Sequence, residues 1–310
     1  MYKLCNWIDK NDLDYNSLIL NKNVYAIDLY ILNTYNIKWK LLSMNPNAIY
    51  ILEKNINKIY WANLSANPNA IYLLKKNLDK IDWYDLSLNP NAICILEKNI
   101  NKINWPNLSA NPNAIHILEK NLDKICYVNL SKNINAIHII EKNLHKIDWF
   151  YLSANQNAVH ILEKNLDKIC YLNLSKNINA IHLLEKNIDK INWFWLLSNS
   201  NALGIIEKNL DKINWLWFSA APHAIHILEK NLHKVDWHML SKNPNAIHIL
   251  KNNLNKIDWY YFSQNSSIFE LDYDFIKKKM DIIREDLIKK TLHPSRINYL
   301  LDSGVDIDDI

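Results

Sequence analysis

Histidine recurs at multiples of 22 residues along this chain, as His116, His138, His160, His182, His226 and His248. Five of these precede a glutamate by three residues, as His116 precedes Glu119. On a helix that spacing puts imidazole and carboxylate on one face, and some helical metal centres are built this way. Zinc needs its nitrogen ligands about 2.0–2.1 Å away, whereas neighbouring helices stand roughly 8–10 Å apart. One histidine per helix would therefore meet a single neighbour at best. The series also lies opposite the apolar side of its segment, so the expectation is a solvated face with modest pH sensitivity and no metal.

Lysines form a second series, two per repeat, from Lys54 and Lys58 to Lys256. A basic stripe on a helical array could follow a nucleic-acid backbone, and some arrays read one base per repeat. Here carboxylates sit beside the lysines, as Glu119 beside Lys120 and Asp123 beside Lys124. Mixed charge of that kind marks a solvated face, so single-stranded RNA binding is kept as the rival reading. Repeated serine (Ser65, Ser87, Ser109) near repeated histidine follows from repetition, because an active site needs a unique constellation. The chain has no glycine-rich phosphate loop, nucleophile elbow, Cys-x-x-Cys or HExxH. The expectation is a protein that is not an enzyme and takes no cofactor.

The segment that carries these residues is written ten times from Trp39 to Asp258, and an eleventh copy begins at Trp259. An aromatic residue opens every copy, without insertion or deletion, and is taken as position 1. A fixed period of this length means a solenoid or an array. In copy 105–126, Asn111-Pro112 signals a helix start. Ala114, Ile115, Ile117 and Leu118 form an apolar face. Asn121 recurs in every copy and is the expected left-handed stop, with Leu122 packing behind it. This predicts a helix of about nine residues. The remainder, with apolar pairs three apart, predicts a short α or 3-10 segment. Position 1 aromatics are expected in the core. Where proline is replaced at the helix start (Ile134, Gln156, Ile178, Ser200), a looser start is expected.

Position 3 varies most informatively. It is Asn63, Asp85, Asn107 and Asn129 early on, then Tyr151, Asn173, Trp195, Trp217, Met239 and Tyr261 toward the C-terminus. Equivalent positions in an array line up, so large apolar side chains would form a row. Exposed aromatics and methionine mark partner-binding surfaces. Alternatively the bulk fills the core or faces the C-terminal end. Both readings stand at this point.

Two glycines in 310 residues argue against an all-β array, which needs glycine for tight hairpins. A hydrophobic content of 49% is enough for a continuous core. A net charge of +4 is too balanced to argue for nucleic acid or membrane by itself. Cys126 and Cys170 share a position two copies apart, beyond the ~7 Å Cα limit for a bridge. Reduced thiols suit an intracellular protein. No apolar signal core or 18-residue apolar run is present, so neither secretion nor membrane insertion is expected.

The phrase Leu-Ser-Ala-Asn-Pro-Asn-Ala-Ile-x-Ile-Leu-Glu-Lys-Asn resembles the leucine-rich variant repeat, in which α helices alternate with 3-10 helices in a solenoid. It departs in its 22-residue period and its position 1 aromatic. Residues 272–310, with His293-Pro294-Ser295-Arg296-Ile297 and the closing Gly-x-Asp-Ile-Asp-Asp, resemble a C-terminal segment shared by repeat proteins of giant amoeba-infecting DNA viruses, the mimivirus relatives. The Asn-Pro-Asn-Ala-Ile arrays are similar to uncharacterised proteins of those viruses. The resemblance implies a lineage, and a place in the infected host cell or the virion.

The expected architecture is all-α: a right-handed superhelical solenoid of short helix pairs. Residues 1–38 are read as a degenerate N-terminal capping repeat, 39–265 as the repeat solenoid and 266–310 as a helical C-terminal cap with an acidic tail. The expected function is a monomeric, non-enzymatic scaffold that binds a protein partner on one elongated surface. A structural virion component that self-associates through the aromatic row is the other alternative.

Overall fold

The computed structural model describes residues 2–304. They are mostly helical, in short pieces that return at the repeat spacing. Copy 105–126 shows the pattern: α helices Trp105–Ala110 and Ile115–Glu119, then the 3-10 helix Leu122–Lys124. Two compact units are present, one spanning Asp9–Ser267 and the other made of the described residues on either side of it. Among the described residues no helix is long and apolar enough to cross a membrane.

The core of the repeat unit is laid down at fixed positions. Leu108, Ala114 and Leu118, at positions 4, 10 and 14, are each fully buried, as are their counterparts in the other copies. Burying one such leucine stabilises by about 1.5–3 kcal/mol. A single copy has too few of these residues to fold alone, and stacking on its neighbours completes the core.

Asparagine stitches the stack together. Asn111 at position 7 accepts from the Asn113 backbone N–H at 3.0 Å. Its Nδ2 donates to the carbonyls of Ser87 and Asn89 in the preceding copy, at 3.0 and 3.1 Å. Asn113 at position 9 donates to the Pro90 carbonyl at 3.0 Å. Position 5 serine binds within its own copy: Ser109 Oγ donates to the Trp105 carbonyl and accepts from the Cys126 N–H. Position 22 caps the first helix of the next copy, as Asn104 accepts from the Asn107 N–H at 3.0 Å.

Several sequence expectations change here. The nine-residue helix resolves into a tight turn followed by five α-helical residues, because the Asn111 carbonyl accepts from the Ala114 N–H in a three-residue turn. Asn121 is not left-handed. It has φ −140° and ψ 50°, and among the described residues no non-glycine has positive φ. Its side-chain amide instead donates to the Ile117 carbonyl at 2.8 Å, supplying the donor that a fourth-neighbour N–H gives in a continuing helix. Leu122 is exposed rather than packed behind it. The position 1 aromatics are half-buried, not core. Lysine at position 20 of the same copy lies over the ring, as Lys124 over Trp105 at 4.8 Å. Loss of proline loosens nothing: Gln156–Ala158 and Ser200–Ala202 form the same 3-10 turn as Pro46–Ala48.

The ladder has no free first rung. Asn21 Nδ2 donates to the carbonyls of Ser263 and Asn265, at 2.9 and 2.8 Å. Those are the carbonyl types that the position 7 asparagines from Asn67 onward use in the copy before them. The Asp14 N–H donates to Ser263 Oγ at 2.9 Å, as position 22 does to position 5 elsewhere. Lys10–Asp12 forms the 3-10 helix that precedes it. Within Asp9–Ser267 the array therefore closes, with its N-terminal residues completing the copy that Trp259 opens. Asn21, in the segment read as a degenerate capping repeat, is fully buried.

In the second unit, strands Tyr2–Leu4 and Phe269–Leu271 pair antiparallel, with Leu4 opposite Phe269. Nothing in the repeat pattern anticipated them. Helices Tyr273–Thr291 and Pro294–Asp302 follow, in the segment expected to be helical. Gly304, at φ 88°, stands just beyond the second. The expected acidic tail lies outside the described residues.

Candidate functional site

Position 3 is the third residue of the first short helix, whose N-cap is position 22 of the copy before it. The asparagines there differ in burial, Asn63 and Asn129 being half-buried. Asn107 and Asn173 are buried and donate to the carbonyls of Tyr84 and Phe150 in the preceding copy, at 2.9 and 2.7 Å. Tyr151, Trp195, Trp217 and Tyr261 have no amide to make that bond and each meets a position 2 ring edge-on.

The five residues of the expected row do not share one environment. Trp195 and Trp217 are exposed, at 36% and 47%. Phe194 meets both edge-on, with centroids 5.0 and 5.9 Å away. These three rings line a cavity of about 390 Å³ with Pro222 and His223. Tyr151 is half-buried and shares a second cavity, of about 340 Å³, with Phe150 and Trp195. Lys132 and Lys176 flank that cavity, their ammonium groups 3.9 and 3.6 Å from the ring centroids of Tyr151 and Trp195. Met239 and Tyr261 are half-buried and line neither cavity. The structure thus brings Tyr151, Trp195 and Trp217 together through Trp195 and leaves Met239 and Tyr261 outside.

The first cavity sits where the repeat breaks its own rules. Leu197 stands where serine is usual, Ala221 and His223 where asparagine is. Leu197 offers no hydroxyl to the Asn214 N–H. Ala221 offers no amide to the Leu197 and Asn199 carbonyls. His223 makes no counterpart of the bond by which Asn201 reaches the Ile178 carbonyl, and its Nε2 is buried without a partner. Burial holds the imidazole below its ordinary pKa. Leu197, Ala221 and His223 all line the cavity. Reasoning from the aromatic row missed these residues. The signal was present in a position-by-position comparison of the chain with itself.

The histidine face is exposed, as expected, but its partners differ. His116 pairs with Glu97 of the preceding copy at 2.5 Å rather than with Glu119, and Glu119 takes His138 at 2.8 Å. The ladder continues through His160–Glu141, His182–Glu163, His226–Glu207 and His248–Glu229. Half-exposed pairs of this kind contribute about 0–1 kcal/mol each. Tyr50, at the histidine position of an early copy, bonds Asp28. Gly204 interrupts the ladder in the same copy that carries Leu197. Among the described residues no group of three or more His, Cys, Asp or Glu is placed to hold a metal ion. The second lysine series is occupied on the position 1 rings, from Lys80 over Trp61 to Lys256 over Trp237.

No protein-family model, curated protein or solved structure matches this chain.

Proposed function

We propose that this protein is a stacked helical solenoid that binds a segment of another protein, in the groove that runs past Tyr151, Trp195 and Trp217. The observation that carries this reading is the exposure of two tryptophans around a largely apolar cavity, where Leu197, Ala221 and His223 together give up the repeat's bonds. Tryptophan at a concave apolar site is the commonest kind of binding hot spot. A cavity of about 390 Å³ accepts a large side chain without rearrangement of the stack. The exposed rings cost stability in isolation, and a partner that covers them recovers it.

The test is selection from a displayed library of random peptides on the wild type, followed by counter-screening on a Trp195→Ala, Trp217→Ala double variant. Circular dichroism should give the variant the wild-type spectrum, since neither side chain is core. Clones that bind the wild type and lose at least about tenfold in affinity for the variant support the reading. Clones that bind both equally, or no clones at all, end it.

A further inference from the structure

The chemistry of the occupant follows from how charge is distributed over the repeat. A cavity of about 510 Å³ is lined by four consecutive copies at positions 6 to 8, among them Lys22, Lys242 and Gln264. The two cavities around Trp195 open at those positions too. Lysine occurs there as Lys22, Lys132, Lys176 and Lys242, and no copy carries a carboxylate at positions 6 to 9. The acids gather instead at positions 15, 19 and 22, as Glu119, Asp123 and Asp148. Around the cavities at Trp195 the lining therefore offers lysine, apolar and neutral polar groups and no carboxylate, Asp85 at position 3 of an early copy lying outside both.

Resting on the peptide-binding reading, we infer that the groove takes an extended acidic peptide. Its aromatic or large aliphatic side chains enter the two cavities that meet at Trp195, and carboxylates between them pair with Lys132 and Lys176. The second cavity is an apolar pocket with an ammonium group on each flank, which matches an apolar anchor bracketed by acids. A single-stranded nucleic acid fits less well. Bases need open ring faces, and one face of both Tyr151 and Trp195 already carries a lysine. Phosphates recur at every nucleotide, whereas these lysines are two copies apart with apolar cavity between them.

Fluorescence anisotropy on the full chain tests this with four labelled ligands. They are a short peptide with two Phe separated by Asp and Glu, the same peptide with Lys for each acid, the acidic peptide with Ala for each Phe, and a single-stranded RNA. The acidic Phe peptide should bind and weaken at least about tenfold on Lys132→Gln, Lys176→Gln substitution, because a charge pair is lost at each site. Trp217→Ala should weaken it similarly, and unchanged thermal midpoints would show that both variants are folded. The Lys and Ala peptides should bind at least about tenfold more weakly to the wild type. Equal binding of the Lys peptide, no binding of the acidic Phe peptide, or tighter binding of the RNA overturns the inference. Library clones lost on the tryptophan variant but without an excess of acids would overturn it while leaving peptide binding intact.

Discussion

His223 occupies a position that asparagine holds in both flanking copies, Asn201 and Asn245. Burial favours its neutral form, so its folded pKa lies below the ordinary 6.5. The sign of the linkage follows from that direction: below about 6.5 the unfolded chain binds the proton more readily, so stability is full above that pH and declines as pH falls below it. His238 works oppositely. Asp258, 2.6 Å away, raises its pKa, and that exposed, solvent-screened contribution is present at low pH and fades as pH rises through the raised value. His223→Asn should therefore flatten the loss of thermal midpoint between neutral and mildly acidic pH. It should also stabilise at neutral pH by about 0.5–1.5 kcal/mol if the amide regains the inter-copy bond. A wild type and variant with parallel pH profiles would remove His223 from this role. None of this was visible from residue type, because a histidine beside a proline reads as surface until its neighbours are placed.

The short helices of this repeat are held less by propensity than by side-chain amides. Helices of four to six residues are far below the length that is stable alone, and Asn at positions 7, 9 and 17 supplies donors that the turns between them lack. Asn111 is buried and satisfies two carbonyls as well as its own turn, whereas Asn113 makes one exposed bond. Asn111→Ala should cost about 3 kcal/mol in denaturant-derived stability, and Asn113→Ala about 0.5–1 kcal/mol. Equal costs would mean that the buried carbonyls find other donors. The constancy of these asparagines was legible in the sequence, and so was the turn at Asn111. The left-handed reading of Asn121 failed because residue statistics at helix ends do not distinguish a backbone stop from a side-chain donor. The two readings predict different torsions from the same letter.

Closure gives each copy in Asp9–Ser267 two bonded neighbours, so the weakness of a free terminal repeat is removed. The bond from Asn21 to Ser263 and Asn265 is the point at which this is testable. Asn21→Ala should lower the thermal midpoint by several degrees. It should also raise amide hydrogen exchange on both sides of the junction, in residues 14–33 and in 237–265. Faster exchange confined to residues near Asn21 in sequence would show that the last copy does not depend on the first. A clue to closure was present, since Asn21 stands six residues after Tyr15 as position 7 stands after position 1. A terminal repeat that fits its pattern imperfectly reads as a cap, however, until its partner is known.

What the sequence determined by itself was part of what acts at short separation: the period, the helical character, an apolar face that includes the wholly buried positions 10 and 14, and the turn at Asn111. Core positions follow from apolar spacing within one copy, and every copy repeats the same answer. What tertiary structure decided was the identity of partners. Whether His116 meets Glu119 or Glu97, whether Lys124 faces solvent or the Trp105 ring, which position 3 residues meet in one groove, and whether the first copy ends the array or closes it all depend on how copies are offset when they stack. That offset is set by buried contacts and amide bonds between residues 22 or more apart, and no local pattern along the chain encodes it.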